Sequence, residues 1–317
     1  RVGAHFGSQV LCLTGTGELS LPIGQTRRCG DVAVGDWLLV ETDSHRAVRR
    51  LDRLSLVARK AAGEKITMQP IAANLDTLFI VTSCNHDFNL SRLERYLALA
   101  SEAEVNPVIV LTKADLHDDP NQLRQQALRL KNGLLVETVD ARDAGQVSQL
   151  TDWCGQGQTV ALVGSSGVGK STLAMTLGAG ELTTQSIRED DSKGRHTTTA
   201  RSLYRLDAGG MLLDTPGMRE LQLVGSFDGV SEVFDDITAL ADGCRFRDCT
   251  HSGEPGCAVQ AAIDSGELDA RRLKSFQKLQ SEQARNAQSL RQQRHEARKL
   301  GQFYKSTQQF KRDQYRN

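Results

Sequence analysis

Residues 161–178 read ALVGSSGVGKSTLAMTLG, and within them Gly164 to Ser171 carry the pattern G-x-x-x-x-G-K-S of a phosphate-binding loop. An apolar run typical of a buried strand precedes the loop, and residues with helical spacing follow it, which is the context such a loop requires. Its glycines let backbone N–H groups converge on phosphate oxygens, and the positive end of the following helix adds to that attraction. The stretch predicts an α/β domain that binds a nucleotide by its phosphates and leaves the base open.

The side chains of the loop have separate predicted roles. Lys170 neutralises phosphate charge and is a candidate catalytic residue, while the Ser171 hydroxyl can join the coordination shell of Mg²⁺. The residues predicted to bind the phosphates are Gly164, Ser165, Ser166, Gly167, Val168, Gly169, Lys170, Ser171 and Thr172. The loop therefore predicts a Mg²⁺-dependent nucleotide site.

Two later segments have the chemistry that surrounds a γ-phosphate. Asp214-Thr215-Pro216-Gly217 ends the apolar run MLLD, where Asp214 can hold Mg²⁺ through water and the Gly217 amide can contact the γ-phosphate. Between this turn and the loop lies the polar segment DSKGRHTTTAR, in which Thr197 or Thr198 can complete the Mg²⁺ shell. These segments predict that the nucleotide is hydrolysed and that the chain responds to the presence of the γ-phosphate. The predicted magnesium ligands are Ser171, Thr198 and Asp214.

The base is indicated by Thr112-Lys113-Ala114-Asp115, which follows the apolar run VIVL. The Asp115 carboxylate can accept two N–H bonds from guanine, an arrangement that adenine cannot offer, and the Lys113 stem can pack along the base. Together with the other elements this segment favours guanine over adenine.

The order of these elements is unusual. The base-reading segment lies at 112, the phosphate loop at 164 and the DTPG turn at 214, whereas a simple GTPase begins with the phosphate loop. Strand-like and helix-like segments alternate from residue 72 onward, which predicts a mostly parallel sheet. The chain is therefore expected to contain a circularly permuted GTPase domain, an arrangement that is tolerated when the original termini lie close together at the surface.

A cysteine and histidine cluster follows the GTPase elements. Cys244, Cys249, His251 and Cys257 offer three thiolates and one imidazole, a set that suits tetrahedral Zn²⁺ with no open position. The chain has seven cysteines in all, and an odd number with one tight cluster favours a reducing compartment and a metal over disulfides. One structural zinc ion per chain is predicted.

The two ends of the chain differ from its centre. Residues 1 to about 70 show short β-type runs broken by glycines, which suggests a small barrel of the oligonucleotide-binding type. From 271 to 317 there are 13 Lys and Arg against 3 Asp and Glu, so this polar helical tail favours an anionic partner or forms a solvated face. No run of 18 apolar residues occurs, so we expect no membrane segment.

The ordered motifs resemble a known family. The segments GSSGVGKS, GRHTTT, DTPGM and CRFRDCTHSGEPGC, behind a small N-terminal barrel, are similar to those of the ribosome-small-subunit-dependent GTPase A family (RsgA, also called YjeQ). The resemblance implies a cytoplasmic, monomeric GTPase that is stimulated by the small ribosomal subunit, binds its rRNA and acts late in subunit assembly. It implies that His196 substitutes for a water-orienting glutamine, because Met218 follows Gly217. It also makes Asp140 and Ala141 the equivalents of a Ser-Ala contact to the guanine oxygen, and Thr112 replaces the family's commoner Asn.

Three domains are expected. They are an oligonucleotide-binding-type barrel over 1–71, a permuted GTPase domain over 72–225, and a zinc-binding and helical domain over 226–317. Two other functions are compatible with parts of this pattern: a kinase or ATPase that uses the same phosphate loop, and an RNA-binding module whose nucleotide site is vestigial. The segment TKAD disfavours the first, and the intact Lys170, Ser171 and Asp214 disfavour the second.

Overall fold

A computed structural model describes residues 1–60, 68–179, 201–214 and 228–286. Its strands are β1 (Val2–His5), β2 (Gln9–Thr14), β3 (Gly17–Pro22), β4 (Leu38–Val40), β5 (Ala47–Arg50), β6 (Leu56–Lys60), β7 (Met68–Ala73), β8 (Thr77–Ser83), β9 (Asn106–Thr112), β10 (Leu135–Thr138), β11 (Thr159–Val163), β12 (Arg201–Arg205) and β13 (Met211–Asp214). The helices are α1 (Leu90–Glu102), α2 (Pro120–Leu128), α3 (Ala144–Val147), α4 (Lys170–Thr176), α5 (Asp228–Val233), α6 (Asp235–Ala241), α7 (Ala258–Asp264) and α8, described over 270–286.

A nine-stranded sheet in the order β10-β9-β8-β11-β13-β12-β1-β2-β3 is the centre of the molecule. The five strands β10, β9, β8, β11 and β13 run parallel to one another, as the alternation of strands and helices predicted, whereas β12 pairs antiparallel with β13. Every residue of β8 is buried, because this central strand is covered on both faces. Parallel strands end at the same edge of a sheet, so the ends of β9, β10, β11 and β13 all lie at one edge, where α/β sheets bind their ligands.

The first five strands surround a small apolar core of their own. Strands β1, β2 and β3 make an antiparallel meander, while β4 pairs with β5 and β6 pairs with β7. The buried residues of this core are Val2, Val10, Cys12, Leu21, Cys29, Val32 and Ala47. The short runs between glycines predicted these strands. They did not predict that β1 would continue the central sheet by pairing with β12, in the register Ala4 to Ser202 and His5 to Arg201.

The C-terminal helices pack against the outer side of the nucleotide domain. Leu93 and Leu97 of α1, Phe234, and Phe276 of α8 belong to one buried apolar cluster, and the rings of Phe234 and Phe276 are 5.4 Å apart. The expected boundary between 71 and 72 falls within β7, and the one between 225 and 226 lies outside the described residues. Within the described part of the chain, no helix has the length and apolarity needed to span a membrane.

Candidate nucleotide and metal sites

The phosphate loop joins β11 to α4 at the ligand-binding edge of the sheet. Gly164 has φ 142°, and a Cβ built there would lie 2.1 Å from the Val81 carbonyl oxygen, so only glycine fits against β8. Gly167 and Gly169 also have positive φ, 77° and 95°, and Gly169 directly precedes the first turn of α4. The backbone thus turns as the sequence pattern predicted.

Lys170 lies folded back over this loop. Its Nζ donates to the Gly164 carbonyl oxygen at 2.9 Å and also to the carbonyl oxygen of Ser165. An ammonium group held over the loop by these carbonyl groups is close enough to contact phosphates that bind there. Ser171, in the same turn of α4, is exposed and available as a metal ligand.

The base-reading segment holds the phosphate loop directly. Thr112, the last residue of β9, is fully buried, and its hydroxyl donates to the Val168 carbonyl oxygen at 2.6 Å. Lys113 has a left-handed backbone with φ 54°, and its Nζ donates to the Gly167 carbonyl oxygen at 2.6 Å. The threonine therefore ties the base segment to the phosphate loop.

A cavity of about 280 Å³ lies beside these contacts. Its lining residues are Thr112, Lys113, Asp115, Leu116, Asp140, Ala141, Arg142, Gly169 and Thr172. The structure thus brings together both predicted base-side segments, 112–115 and 140–141, with the end of the phosphate loop. Leu116 and Arg142 were not predicted, and only their position next to predicted residues could have indicated them.

The Asp140 carboxylate points to Arg142 within this cavity. Oδ1 accepts from the Arg142 backbone N–H at 2.9 Å and from Nε at 3.0 Å, and Oδ2 accepts from Nη2 at 2.7 Å. The Arg142 side chain is the largest cause that lowers the pKa of Asp140 to about 2. Nearby, the Thr176 hydroxyl donates to the Ala141 carbonyl oxygen at 2.7 Å, which fixes the Asp140–Ala141 turn to α4.

Arg92 of α1 reaches the phosphate loop from another side. Its Nη1 donates to the Ser165 hydroxyl oxygen and, at 2.6 Å, to Asp87 Oδ1. No sequence motif marks Arg92, because its role depends on where α1 lies in the fold. The contact connects α1 to the second residue of the loop.

The remaining predicted nucleotide residues are placed only in part. The backbone of Asp214 ends β13, which is the direct neighbour of β11, so this residue follows the strand expected for a magnesium ligand. His196, Thr197, Thr198 and Gly217 lie outside the described residues. Their roles stay predictions.

The four predicted metal ligands converge in the segment between α6 and α7. The ligand atoms of Cys244, Cys249, His251 and Cys257 all lie within 4.8 Å of one another. Cys244 Sγ and Cys257 Sγ are 3.9 Å apart, and each lies 3.5–3.6 Å from His251 Nδ1. Tetrahedral zinc with ordinary bond lengths separates two sulfurs by about 3.8 Å and a sulfur from a nitrogen by about 3.6 Å. The donor set and its spacing therefore fit Zn²⁺.

Glu254 organises the loop that carries the metal ligands. Its carboxylate accepts from the backbone N–H groups of Thr250 and Ser252 at 2.8 and 2.7 Å. The Thr250 side chain is the largest cause that lowers the pKa of Glu254 to about 2. His251, between these residues, has φ 61° and is held in that turn. Sequence reasoning did not assign this role to Glu254.

Comparison with known proteins gives a consistent result. A family model described as RsgA GTPase matches residues 50–224. The chain is 55% identical to small ribosomal subunit biogenesis GTPase RsgA 2 of Vibrio parahaemolyticus, over 98% of this chain and 87% of that protein. It is 54% identical to small ribosomal subunit biogenesis GTPase RsgA of Mesorhizobium japonicum, over 90% of this chain and 84% of that protein.

Two solved structures share the fold. The crystal structure of YjeQ from Thermotoga maritima has a TM-score of 0.62 at 23% identity and covers 89% of this chain and 97% of its own. That of YloQ, described as a circularly permuted GTPase, has a TM-score of 0.62 at 24% identity and covers 90% of this chain and 94% of its own. The predicted permuted architecture is confirmed.

Proposed function

The chain belongs to the RsgA GTPase family, and on this premise we propose that it hydrolyses GTP as a factor in biogenesis of the small ribosomal subunit. The observation that carries the proposal is the joining of the base pocket to the phosphate loop. Thr112 and Lys113 bind carbonyl groups of that loop, so the elements that would recognise base and phosphates form one rigid unit.

The residues of the pocket account for the choice of nucleotide. Asp115 lines the cavity and would accept the two N–H groups on the Watson–Crick edge of guanine. The Ala141 backbone would face O6, which lies next to N1 on the same edge of the base. Adenine presents an amino group and an unprotonated ring nitrogen at these positions, so it would leave the Asp115 carboxylate unpaired.

The residues around the phosphates would neutralise their charge and position the attacking water. Lys170 would move from the loop carbonyls to the β- and γ-phosphates and stabilise the negative charge that develops as the γ-phosphoryl group leaves. The attacking water would be oriented by His196, as the family resemblance implies. Ser171, Thr198 and Asp214 offer oxygen ligands suited to Mg²⁺, which neutralises phosphate charge when bound.

The other domains would serve binding to the ribosome. The zinc ion would fix the loop between Cys244 and Cys257 and leave the exposed Arg245, Phe246 and Arg247 at its tip. We assign contacts with rRNA to this tip, to the N-terminal strands and to the basic tail. The protein would act as a monomer in the cytoplasm, where small subunits mature.

GTP hydrolysis with and without isolated small ribosomal subunits tests the proposal. We expect slow turnover alone, a strong increase with subunits, and preference for GTP over ATP. Lys170→Ala should abolish the stimulated rate because the phosphate charge is no longer neutralised. Equal turnover of ATP, or stimulated GTP turnover that survives Lys170→Ala, would contradict the proposal.

Asp115→Asn tests the base pocket separately. Xanthine carries an oxygen where guanine carries its 2-amino group, so the Asn amide can donate to xanthine while the Asp carboxylate cannot. We expect the variant to lose GDP affinity and gain affinity for xanthosine diphosphate. An unchanged preference for GDP would place the base elsewhere.

A further inference from the structure

The base pocket contains two carboxylates although guanine can use only one of them. Asp115 and Asp140 both line the cavity. Guanine presents its N1–H and N2–H donors and the acceptor O6 side by side, so Asp115 suits the donors, whereas a carboxylate beside O6 would repel it.

Arg142 compensates for this carboxylate. Both carboxylate oxygens of Asp140 accept hydrogen bonds from Arg142, from its backbone N–H, Nε and Nη2, at 2.7 to 3.0 Å. Two parallel side-chain bonds of this kind fix the guanidinium plane relative to the carboxylate. The two partners are only two residues apart in the sequence. Both of them line the cavity.

The Arg142 guanidinium has N–H donors that the pair with Asp140 does not use. Among the described residues Nη1 of Arg142 makes no hydrogen bond, and the side chain is 70% exposed. An arginine offers five N–H groups and no acceptor, so beside a purine it favours an oxygen at C6 and disfavours an amino group there. Arg142 is thus placed to offer N–H donors to O6, which the Asp140 carboxylate alone would repel.

We propose that Arg142 is a specificity-determining residue for 6-oxopurine nucleotides: it cancels the Asp140 carboxylate and turns free N–H groups toward O6 of guanine. This inference rests on the proposed function, since it assumes that the cavity holds the base. It explains how a pocket that contains Asp140 as well as Asp115 accepts guanine. The side chain that matters is outside both predicted base segments.

A double-mutant cycle with Asp140 tests the idea, with binding of fluorescent GDP as the measurement. Arg142→Ala uncovers the carboxylate, and we expect GDP affinity to fall about tenfold. In an Asp140→Ser background the same Arg142→Ala change should cost less than about twofold, because there is no charge left to cancel and no carboxylate to hold the guanidinium beside O6. Arg129→Ala, at the exposed C-terminal end of α2, removes an equal charge outside the cavity and should leave affinity unchanged.

The outcomes separate this inference from the function it rests on. Recovery of GDP affinity in the Asp140→Ser/Arg142→Ala variant relative to Arg142→Ala supports the role of Arg142. An Arg142→Ala variant that binds GDP as tightly as the unaltered chain overturns it, as does a double variant that binds no better than Arg142→Ala. Failure of the unaltered chain to prefer GDP to ADP would instead overturn the proposed function.

Discussion

Arg272 Nη1 in α8 lies 3.1 Å from Oε1 of Glu94 in α1, and the Glu94 side chain is completely buried. Arg271 donates to the same carboxylate at 2.9 Å, and Arg272 also pairs with Asp236 at 2.5 Å. The Arg272 guanidinium further donates to the Val233 carbonyl oxygen at 2.8 Å and stands 4.8 Å from the centre of the Phe234 ring. A network of charges around the buried Glu94 and Arg272 thus connects the C-terminal helix to α1.

Removal of Arg272 should destabilise the whole chain. Without this arginine the Glu94 carboxylate keeps only Arg271, Asp236 loses its cation, and the Val233 carbonyl oxygen loses its side-chain donor. Breaking a buried pair from one side costs about 3–5 kcal/mol. We expect Arg272→Ala to lower the free energy of unfolding in urea by this amount. Lys274→Ala, an exposed position of the same helix, is the matched control and should change it by less than about 0.5 kcal/mol. A loss for Arg272→Ala as small as that of the control would contradict the structural role of the network.

The Thr112 hydroxyl should contribute to nucleotide affinity without touching the nucleotide. Thr112→Val has nearly the same shape but leaves the Val168 carbonyl oxygen of the phosphate loop without its donor. An unpaired buried acceptor costs about 1–3 kcal/mol, and a looser loop should weaken GDP binding about five- to tenfold. Thr112→Ser retains the hydroxyl and should keep most of the affinity. Equal GDP dissociation constants for the Val and Ser variants would show that the hydrogen bond has no such effect.

The motifs were predictable because each rests on local backbone chemistry. Gly164 has φ 142°, a backbone conformation that the turn of the phosphate loop imposes and that favours glycine. The metal cluster was predictable for a similar reason, because its four ligands lie within 14 residues of one another.

Other features depend on contacts between distant segments. Arg92 meets Ser165 across 73 residues, and β1 pairs with β12 across almost 200 residues, so no pattern along the chain indicates them. Arg142 was missed for a different reason: it adjoins a predicted segment, but its role becomes visible only when its side chain is seen on Asp140.

The C-terminal domain should bind one zinc ion per chain. Cys249→Ser replaces a thiolate with a hydroxyl, a much weaker zinc ligand, and should reduce the metal content measured by atomic absorption well below one. Cys154→Ala alters a buried cysteine outside the cluster and should leave the metal content at one. A zinc content that is equal in both variants would exclude Cys249 from the site.

Arg92 should support hydrolysis by holding Ser165, and hence act as a positioning residue. Arg92→Ala removes the bond to the Ser165 hydroxyl while the Asp87 carboxylate loses its cation. We expect the KM for GTP to rise several-fold, because the first residues of the phosphate loop are no longer fixed to α1.

The contact predicts a specific pattern among variants. If Arg92 acts through Ser165, then Ser165→Ala should raise KM to a similar extent, and the double variant should be little worse than either single one, because both changes remove the same interaction. Steady-state kinetics with isolated small subunits measure the KM for GTP of each single variant and of the double variant. Effects that simply add in the double variant would mean that the two residues act independently, and that the arrangement of α1 beside the loop does not determine how the loop binds GTP.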